Sequence, residues 1–580
     1  MKKFLFTITF FSLFVINYSL LNAQWSSNPA QNTEVYSGSG DQVLNKVALT
    51  SDGGCYVSWF DNRGSGYTVR LQKFNAFGVK QFAADGLLVS SNPQSSSLVD
   101  YDMIADDSNN AIVTFTDTRN GAQITPFAYK ISPTGTFLWG ANGVDLSADN
   151  SVYQANPRVV QTSDGNYVFI WVFASTPRKA HMQKLSRAGA KMWAANNIAI
   201  SLQGSENVDW PKHVASDNGS IITMYSGYTG SFINPQNYRI YTQKFSTTGT
   251  TVWNPTPDTV YALGRVSGFY NPPIASDYNN GAVYTWIDDR NATNGSPYVQ
   301  RFNSAGARQF PVNGAWVVGA DAFLRNQPFS VYVPSSGETY CFWRDNNFNQ
   351  SQSGIYGQKF SVSGTRNWGN EGKVFLPMTS VVPTYIWIGA KDTNIVCVYT
   401  QQTGGATYET KALKTGPSGA IHWNVNVATT PSSKTQSSTQ IFRTTTGMVY
   451  TGWGDDRNGS SDIYVQNISI NGALGYPNDI KQNSNIVPDK FELKQNYPNP
   501  FNPSTKIVFD VPSNVNGQMS NVRIEVYDAS GKIVSQLVNG AYAQGRYEVT
   551  FDAKDLSSGV YFYQLRTENF VKTKSMMLVK

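Results

Sequence analysis

Eight glycines fix the plan of this chain. Gly78, Gly135, Gly189, Gly249, Gly306, Gly364, Gly419 and Gly472 follow one another at intervals of 57, 54, 60, 57, 58, 55 and 53 residues. Most close a stretch like Gln300-Arg301-Phe302-Asn303-Ser304-Ala305-Gly306, and the clearest copies carry a block like Trp286-Ile287-Asp288-Asp289-Arg290 upstream. Self-similarity at a steady spacing marks a repeat array, whose units bury their apolar faces on one another. At 580 residues the chain is also too long for one core to organise. Within a unit the order is a short strand, a Ser-Asp-Gly type turn, an apolar strand ending in an aromatic residue, a polar turn, a strand ending Gln-Lys-Phe, the glycine turn, and a strand often led by Trp.

The first turns, such as Ser51-Asp52-Gly53-Gly54 and Ser163-Asp164-Gly165-Asn166, use residues that tolerate the positive φ of tight hairpins. The strands behind them, Cys55 to Trp59, Ala111 to Phe115 and Ala282 to Trp286, are apolar or aromatic on both faces, so both faces must be covered. Four antiparallel strands per unit with double-sided burial predict a propeller blade. The last unit runs into Tyr476-Pro477-Asn478-Asp479 without a Trp-led strand, whereas Trp25 to Ser37 resembles Trp139 to Ser147. The N-terminal stretch is therefore expected to supply the outer strand of the last blade and close the ring. The predicted fold class is all-β: an eight-bladed β-propeller followed by a small immunoglobulin-like β-sandwich. Because units three, four and seven are degenerate, seven blades or two arcs stand beside it as alternatives.

Composition agrees with that class. Only 14% of residues are charged while 13% are aromatic and 48 are Gly, which suits short strands and tight turns better than charged helices. The net charge of +6 is spread along the chain, so no nucleic-acid partner is expected. Cys55, Cys341 and Cys397 lie on the aromatic-bearing faces of their strands and read as free buried thiols.

The two ends carry different signals. Met1-Lys2-Lys3, the apolar run from Phe4 to Leu21 and a small residue at Ala23 read as a secretory signal, residues 1–23, cleaved between Ala23 and Gln24. No later stretch is apolar for long enough to span a bilayer as a helix, so no integral membrane segment is expected once the signal is removed. The propeller is assigned to 24–475 and a polar linker to 476–489. Period-two strands at 506–511, 522–527, 532–537, 547–551, 560–566 and 571–579 then predict the sandwich in 490–580.

That last segment contains Gln495-Asn496-Tyr497-Pro498-Asn499-Pro500-Phe501-Asn502-Pro503, then Val526-Tyr527-Asp528 with Gly531, then Leu556-Ser557-Ser558-Gly559-Val560-Tyr561-Phe562-Tyr563, and a basic end at Lys580. These residues resemble the type A C-terminal sorting domain of the bacterial type IX secretion system, with Phe551 where the family often has Trp. The resemblance implies partners, the type IX translocon and a sortase-like peptidase that removes the domain. It also implies an address, secreted from or attached to the outer surface of a Bacteroidota-type bacterium. Without it, 497–503 reads as a rigid Pro-punctuated turn leading into a strand.

The chemistry is harder to place. Asp61/Arg63, Asp117/Arg119, Asp288 or Asp289 with Arg290, and Asp455 or Asp456 with Arg457 recur at one point of the repeat. A catalytic site needs one asymmetric arrangement, so recurrence favours a turn cap paired with its arginine. His181, His213 and His422 sit in different units, without metal-ligand spacing. No catalytic, metal or cofactor-binding residue is assigned, and no cofactor is expected. Repeating tryptophans such as Trp59, Trp286, Trp343 and Trp453 read as interblade core, whereas Tyr228, Trp316, Trp387 and the insertion at 232–237 are the candidates for exposed contacts. The functional expectation is a non-catalytic binding module for a surface glycan or protein. The alternatives are an extracellular polysaccharide hydrolase or lyase using paired carboxylates, and a structural surface-layer component.

Overall fold

The computed structural model describes residues 25–580 except 65, 77, 95–98, 122, 148, 195–196, 233, 264–270, 291–294, 320–322, 436–437, 444–445, 476–480, 485–487, 513–519, 543 and 554–555. The signal segment with its Ala23–Gln24 junction, and most of the linker, lie outside the described residues.

Between Thr33 and Ile468 the described residues form eight four-stranded antiparallel sheets. Seven use four consecutive strands, as in Gln42–Leu49, Cys55–Asp61, Tyr67–Phe74 and Leu87–Gln94. The eighth uses Ser438–Ile441, Val449–Asp455 and Asp462–Ile468 and takes its outer strand, Thr33–Tyr36, from the other end of the chain, with Thr33 opposite Val465 and Tyr36 opposite Ile463. This is the pairing expected from the resemblance of Trp25 to Ser37 to the fourth strands, and it gives an all-β, propeller-like body.

The first strands of the sheets, Gln42–Leu49, Asp102–Ala105, Gln154–Gln161, Asn207–Ala215, Ile274–Ser276, Leu324–Val333, Pro383–Lys391 and Ser438–Ile441, each contact the next, and the last contacts the first. Second strands lie between neighbouring sheets, which is why Cys55–Asp61, Ala111–Asp117, Tyr167–Phe173, Ala282–Asp288 and Val449–Asp455 are buried at every residue. Cys55, Cys341 and Cys397 are free and buried there, and burial pushes the Cys341 thiol up to about 12.

The eight marker glycines all have φ between 78° and 88°. Each turn also receives an aromatic side chain from the preceding repeat. Trp139, Trp193, Trp253, Trp368 and Trp423 donate from Nε1 to the carbonyls of Arg187, Thr247, Ser304, Pro417 and Ile470 at 3.0–3.1 Å. Trp25 makes the same bond to the Ala76 carbonyl at 2.8 Å, and Phe82 and Phe310 take the place of Trp beside Gly135 and Gly364. A Cβ on Gly306 would come within 2.8 Å of the Trp253 ring, so glycine is required both by backbone conformation and by this approach.

The C-terminal segment forms two further four-stranded sheets. One contains Ser504–Val511 and Gly545–Asp552 at its centre, and the other Ser520–Tyr527 and Gly559–Arg566. Phe501, Ile507, Phe509, Val526, Tyr563, Leu565 and Met576 belong to the core between them. Lys481–Ser484, within the stretch expected to be linker, pairs antiparallel with Gly545–Asp552.

Candidate functional site

Where the first strands converge they line a cavity of about 440 Å3, reached by Lys46, Asp100, Asp102, Arg158, Lys212, Asn271 to Pro273, Trp286, Gln327 to Phe329 and Tyr385 among others. One backbone device supplies most of this lining. The pairing between first and second strands shifts between Val43 and Lys46, Ala155 and Arg158, Asp209 and Lys212, Asn326 and Phe329, and Thr384 and Trp387. At each shift one residue is left-handed: Leu44, Asn156, Trp210, Gln327 and Tyr385 have φ of 50–53°. These are β-bulges, which re-aim the side chains that follow them. Pro157, Pro211 and Pro328 come directly after the left-handed residue. The bulge interrupts the ladder there, so a missing N–H is tolerated. Two residues past each bulge the chain places Lys46, Arg158, Lys212, Phe329 and Trp387, so a repeated backbone presents a non-repeating set of side chains.

The charges in the cavity are arranged around Asp100. Its carboxylate accepts Lys46 Nζ at 2.7 Å on one oxygen and Arg158 at 2.6 Å on the other. Burial alone would raise its pKa, but these two cations outweigh it and hold the carboxyl well below the usual range. Asp102 accepts the backbone N–H groups of Met103 at 2.9 Å and Val159 at 3.0 Å. Lys212 donates to the Pro272 carbonyl at 2.7 Å, and among the described residues no carboxylate forms an ion pair with it. Burial, reinforced by Arg158 and Lys46 and opposed by Asp100, pulls its ammonium down to about 7. The amide oxygen of Asn271, on the same wall, is buried, and among the described residues it has no hydrogen-bond partner.

The residues that the sequence singled out fall elsewhere. Each Asp-x-Arg aspartate is buried and joined to its arginine: Asp61 to Arg63, Asp117 to Arg119, Asp288 to Arg290 and Asp455 to Arg457. Between the two candidates in each of the last two copies, the structure selects Asp288 and Asp455. Both also accept the indole N–H of the preceding tryptophan, Trp286 at 2.8 Å and Trp453 at 3.0 Å. The guanidinium groups of Arg119, Arg290 and Arg457 lie over the rings of Phe127, Tyr298 and Tyr464, each at 3.9 Å. These pairs are thus engaged within the propeller-like body, as the recurrence implied.

His213 is buried, its Nε2 2.9 Å from the Val168 carbonyl, and His181 stacks on Phe173 at 4.0 Å. Burial lowers both to about 4. Among the described residues no group of three metal-ligating side chains is present. Tyr228, expected to make exposed contacts, is 3% exposed and donates to Asp209. Its ring stacks on Tyr238 of the paired strand Pro235–Phe245, inside the apolar cluster that also holds Tyr261 and Trp286. Trp316 and Trp387 are half-buried, while Phe232 at the hairpin tip is 49% exposed, with the Arg178 guanidinium 5.5 Å from its ring.

The sorting-motif residues come together on the C-terminal sheets. Asn496 is buried, donating to the Pro498 carbonyl and to Thr505 Oγ1, both at 3.0 Å, while its backbone N–H reaches Tyr563 at 2.8 Å. Gln495 donates to the Ser575 carbonyl at 2.7 Å, Asn499 accepts the Met577 N–H at 2.9 Å, and Phe501 plugs the core. Tyr497, at 80% exposure, stands outward with Pro498, Pro500, Asn502 and Pro503. Gly559 and the terminal Lys580 are exposed, the latter donating its backbone N–H to Ser558 at 3.0 Å. The motif is thus a loop pinned from beneath by Asn496 and Phe501, with its remaining side chains presented to solvent.

Residues 495–580 match the model of the secretion system C-terminal sorting domain. No curated protein matches the chain. Among solved structures, a polysaccharide lyase is similar at 11% identity over 78% of this chain and 95% of its own, with a TM-score of 0.40. An endo-arabinase from Bacteroides thetaiotaomicron is similar at 12% identity over 47% of this chain and 96% of its own, with a TM-score of 0.27. A Bombyx mori GH32 beta-fructofuranosidase is similar at 10% identity over 95% of this chain and 96% of its own, with a TM-score of 0.27. These overlaps are too loose to carry any chemistry across. The chain thus ends in a type IX secretion C-terminal sorting domain, which marks it as secreted from, or attached to the surface of, a Bacteroidota-type bacterium.

Proposed function

We propose that the passenger is a closed eight-bladed propeller that works outside the cell as a non-catalytic binding module for a glycan or protein. In this reading residues 1–23 are a cleaved signal, 24–475 the propeller, 476–489 the connection and 490–580 an immunoglobulin-like sorting sandwich. The sandwich takes the chain through the outer membrane by the type IX translocon and is then removed by a sortase-like peptidase.

The observation that carries the binding reading is the commitment of both cavity carboxylates. Asp100 is clamped by Lys46 and Arg158, and Asp102 is held by two backbone N–H groups. A general acid must hold a proton near working pH and a general base must be able to take one. Asp100, held far below its ordinary range, does neither. What remains is a polar, asymmetric cavity of a size that suits small-ligand recognition.

The test is to incubate the secreted full chain with neutral and acidic polysaccharides and with surface proteins, following retention and product release together. Retention without new chain ends is the expected result. Turnover abolished by a single Asp or Glu substitution would replace this reading with the hydrolase or lyase.

A further inference from the structure

We propose that the central cavity binds a sugar acid, the carboxylate of a uronate residue pairing with Lys212. This deepens the binding-module reading and rests on it. Five charged side chains from four consecutive sheets meet in the cavity, Lys46, Asp100, Asp102, Arg158 and Lys212. Two of the three cations share Asp100, which among the described residues leaves Lys212 with only a backbone carbonyl. A half-buried ammonium held by one neutral acceptor is under-compensated, and an incoming anion would supply what is missing.

The other walls narrow the class of anion. The Asn271 amide oxygen, without a partner among the described residues, calls for a donor, which a sugar hydroxyl provides and a bare carboxylate does not. Phe329 and Tyr385, half-buried on the facing strands, offer apolar ring surface for the C–H face of a sugar. A uronate carries the carboxylate, the hydroxyls and the apolar face together. An acidic peptide brings the carboxylate and backbone N–H donors but lacks the apolar C–H face. Water already reaches the cluster, since the side chains of Lys46, Asp100 and Arg158 keep 24%, 34% and 18% of their exposure.

Proton linkage gives the site a signature. The charged groups facing Lys212 are Arg158, Lys46 and Asp100, and Asp102 lines the same space. Its ammonium loses its proton near 7 in the free protein, whereas a uronate stays ionised throughout. Affinity must therefore fall as pH rises through about 7, and binding above that value must draw in a proton.

The experiment is calorimetric titration of the full chain with D-glucuronate and a glucuronate-terminated oligosaccharide, against D-glucose and a glutamate-rich peptide. The expected result is saturable uronate binding at least about tenfold tighter than glucose, the scale of a lost charged hydrogen bond. Lys212→Met should reduce uronate to the level of glucose, and Lys212→Arg should restore binding while flattening its pH dependence. Should Lys212→Met fail to fold, Lys212→Gln takes its place, and the preference of the natural protein for glucuronate over glucose and over the peptide is read beside it. Equal binding of glucose and glucuronate, preference for the peptide, absence of uronate binding, or indifference to Lys212→Met and to pH would each overturn the site. If neutral glycans or surface proteins are still retained in those cases, the binding-module reading survives without this cavity. If nothing is retained, both fail.

Discussion

The Asp-x-Arg unit shows how a charge pair can be structural at full burial. Asp288 exposes none of its side chain and Arg290 only 14%. The carboxylate accepts Arg290 Nε at 2.8 Å and Trp286 Nε1 at 2.8 Å, and the guanidinium lies over Tyr298. Burial pushes Asp288 above its ordinary range despite Arg290. At the same repeat position Asp455 sits below that range, because burial is there outweighed by Arg457 together with Lys434. Removing one partner of such a pair leaves a buried charge and a buried indole N–H unmatched, at a cost of about 3–5 kcal/mol. Asp288→Ala should lower unfolding stability by that amount, read from denaturant midpoints. A loss below about 1 kcal/mol would place the pair among weak surface bridges instead. The recurrence of the motif was enough to predict this role, because a group repeated once per unit answers a need that each unit has.

The element that joins unit to unit is the aromatic clasp on the glycine turn, and its two requirements can be separated. Gly306 has φ of 84° and Gly140 of 83°, yet a Cβ would meet Trp253 at 2.8 Å in the first and nothing within 4 Å in the second. Gly140→Ala should therefore cost only the left-handed backbone penalty, about 1–2 kcal/mol. Gly306→Ala should cost about 1–3 kcal/mol more, from the displaced indole. Equal losses would show that the clasp yields freely. The glycine spacing and the Trp-led strands were legible because each lies within one short stretch of sequence. The cavity was not. Lys46, Asp102, Arg158 and Lys212 come from separate units and meet only once the first strands close on one another. The bulges at Leu44, Asn156 and Trp210 also break the period-two pattern by which strand faces are read. The signal that could have found them is the recurrence of Asn156-Pro157-Arg158, Trp210-Pro211-Lys212 and Gln327-Pro328-Phe329 at one register of the repeat.

At the scale of the whole molecule, closure depends on a short N-terminal segment. Trp25 is 2% exposed and hydrogen-bonded to Ala76, where it fills the position that Trp139 or Trp253 fills inside the chain. Ten residues on, Val35 is fully buried in the same cluster. Asn32 donates to the Val427 carbonyl at 2.7 Å, so the segment also ties the seventh sheet to the eighth. Signal cleavage between Ala23 and Gln24, as the sequence predicts, would leave Trp25 one residue from the new terminus. Little chain would then remain to fray, and the Trp25 contact would add to the closure made by the Thr33–Tyr36 pairing and by Asn32. Trp25→Ala removes a large buried side chain, at about 3–5 kcal/mol. Deleting residues 25–36 does more, because it uncovers the edge of Asp462–Ile468, a strand buried at every residue. An uncovered apolar edge pairs with other chains. The deletion should thus produce a lower melting midpoint, early proteolytic cleavage around 449–468, and concentration-dependent association, each absent from the intact chain. Trp25→Ala should reproduce the first two without the third, since Thr33–Tyr36 still covers the edge. A deletion variant that melts and sediments like the intact protein would mean that the ring holds without its N-terminal strand, and the closing role assigned to that strand would have to be withdrawn.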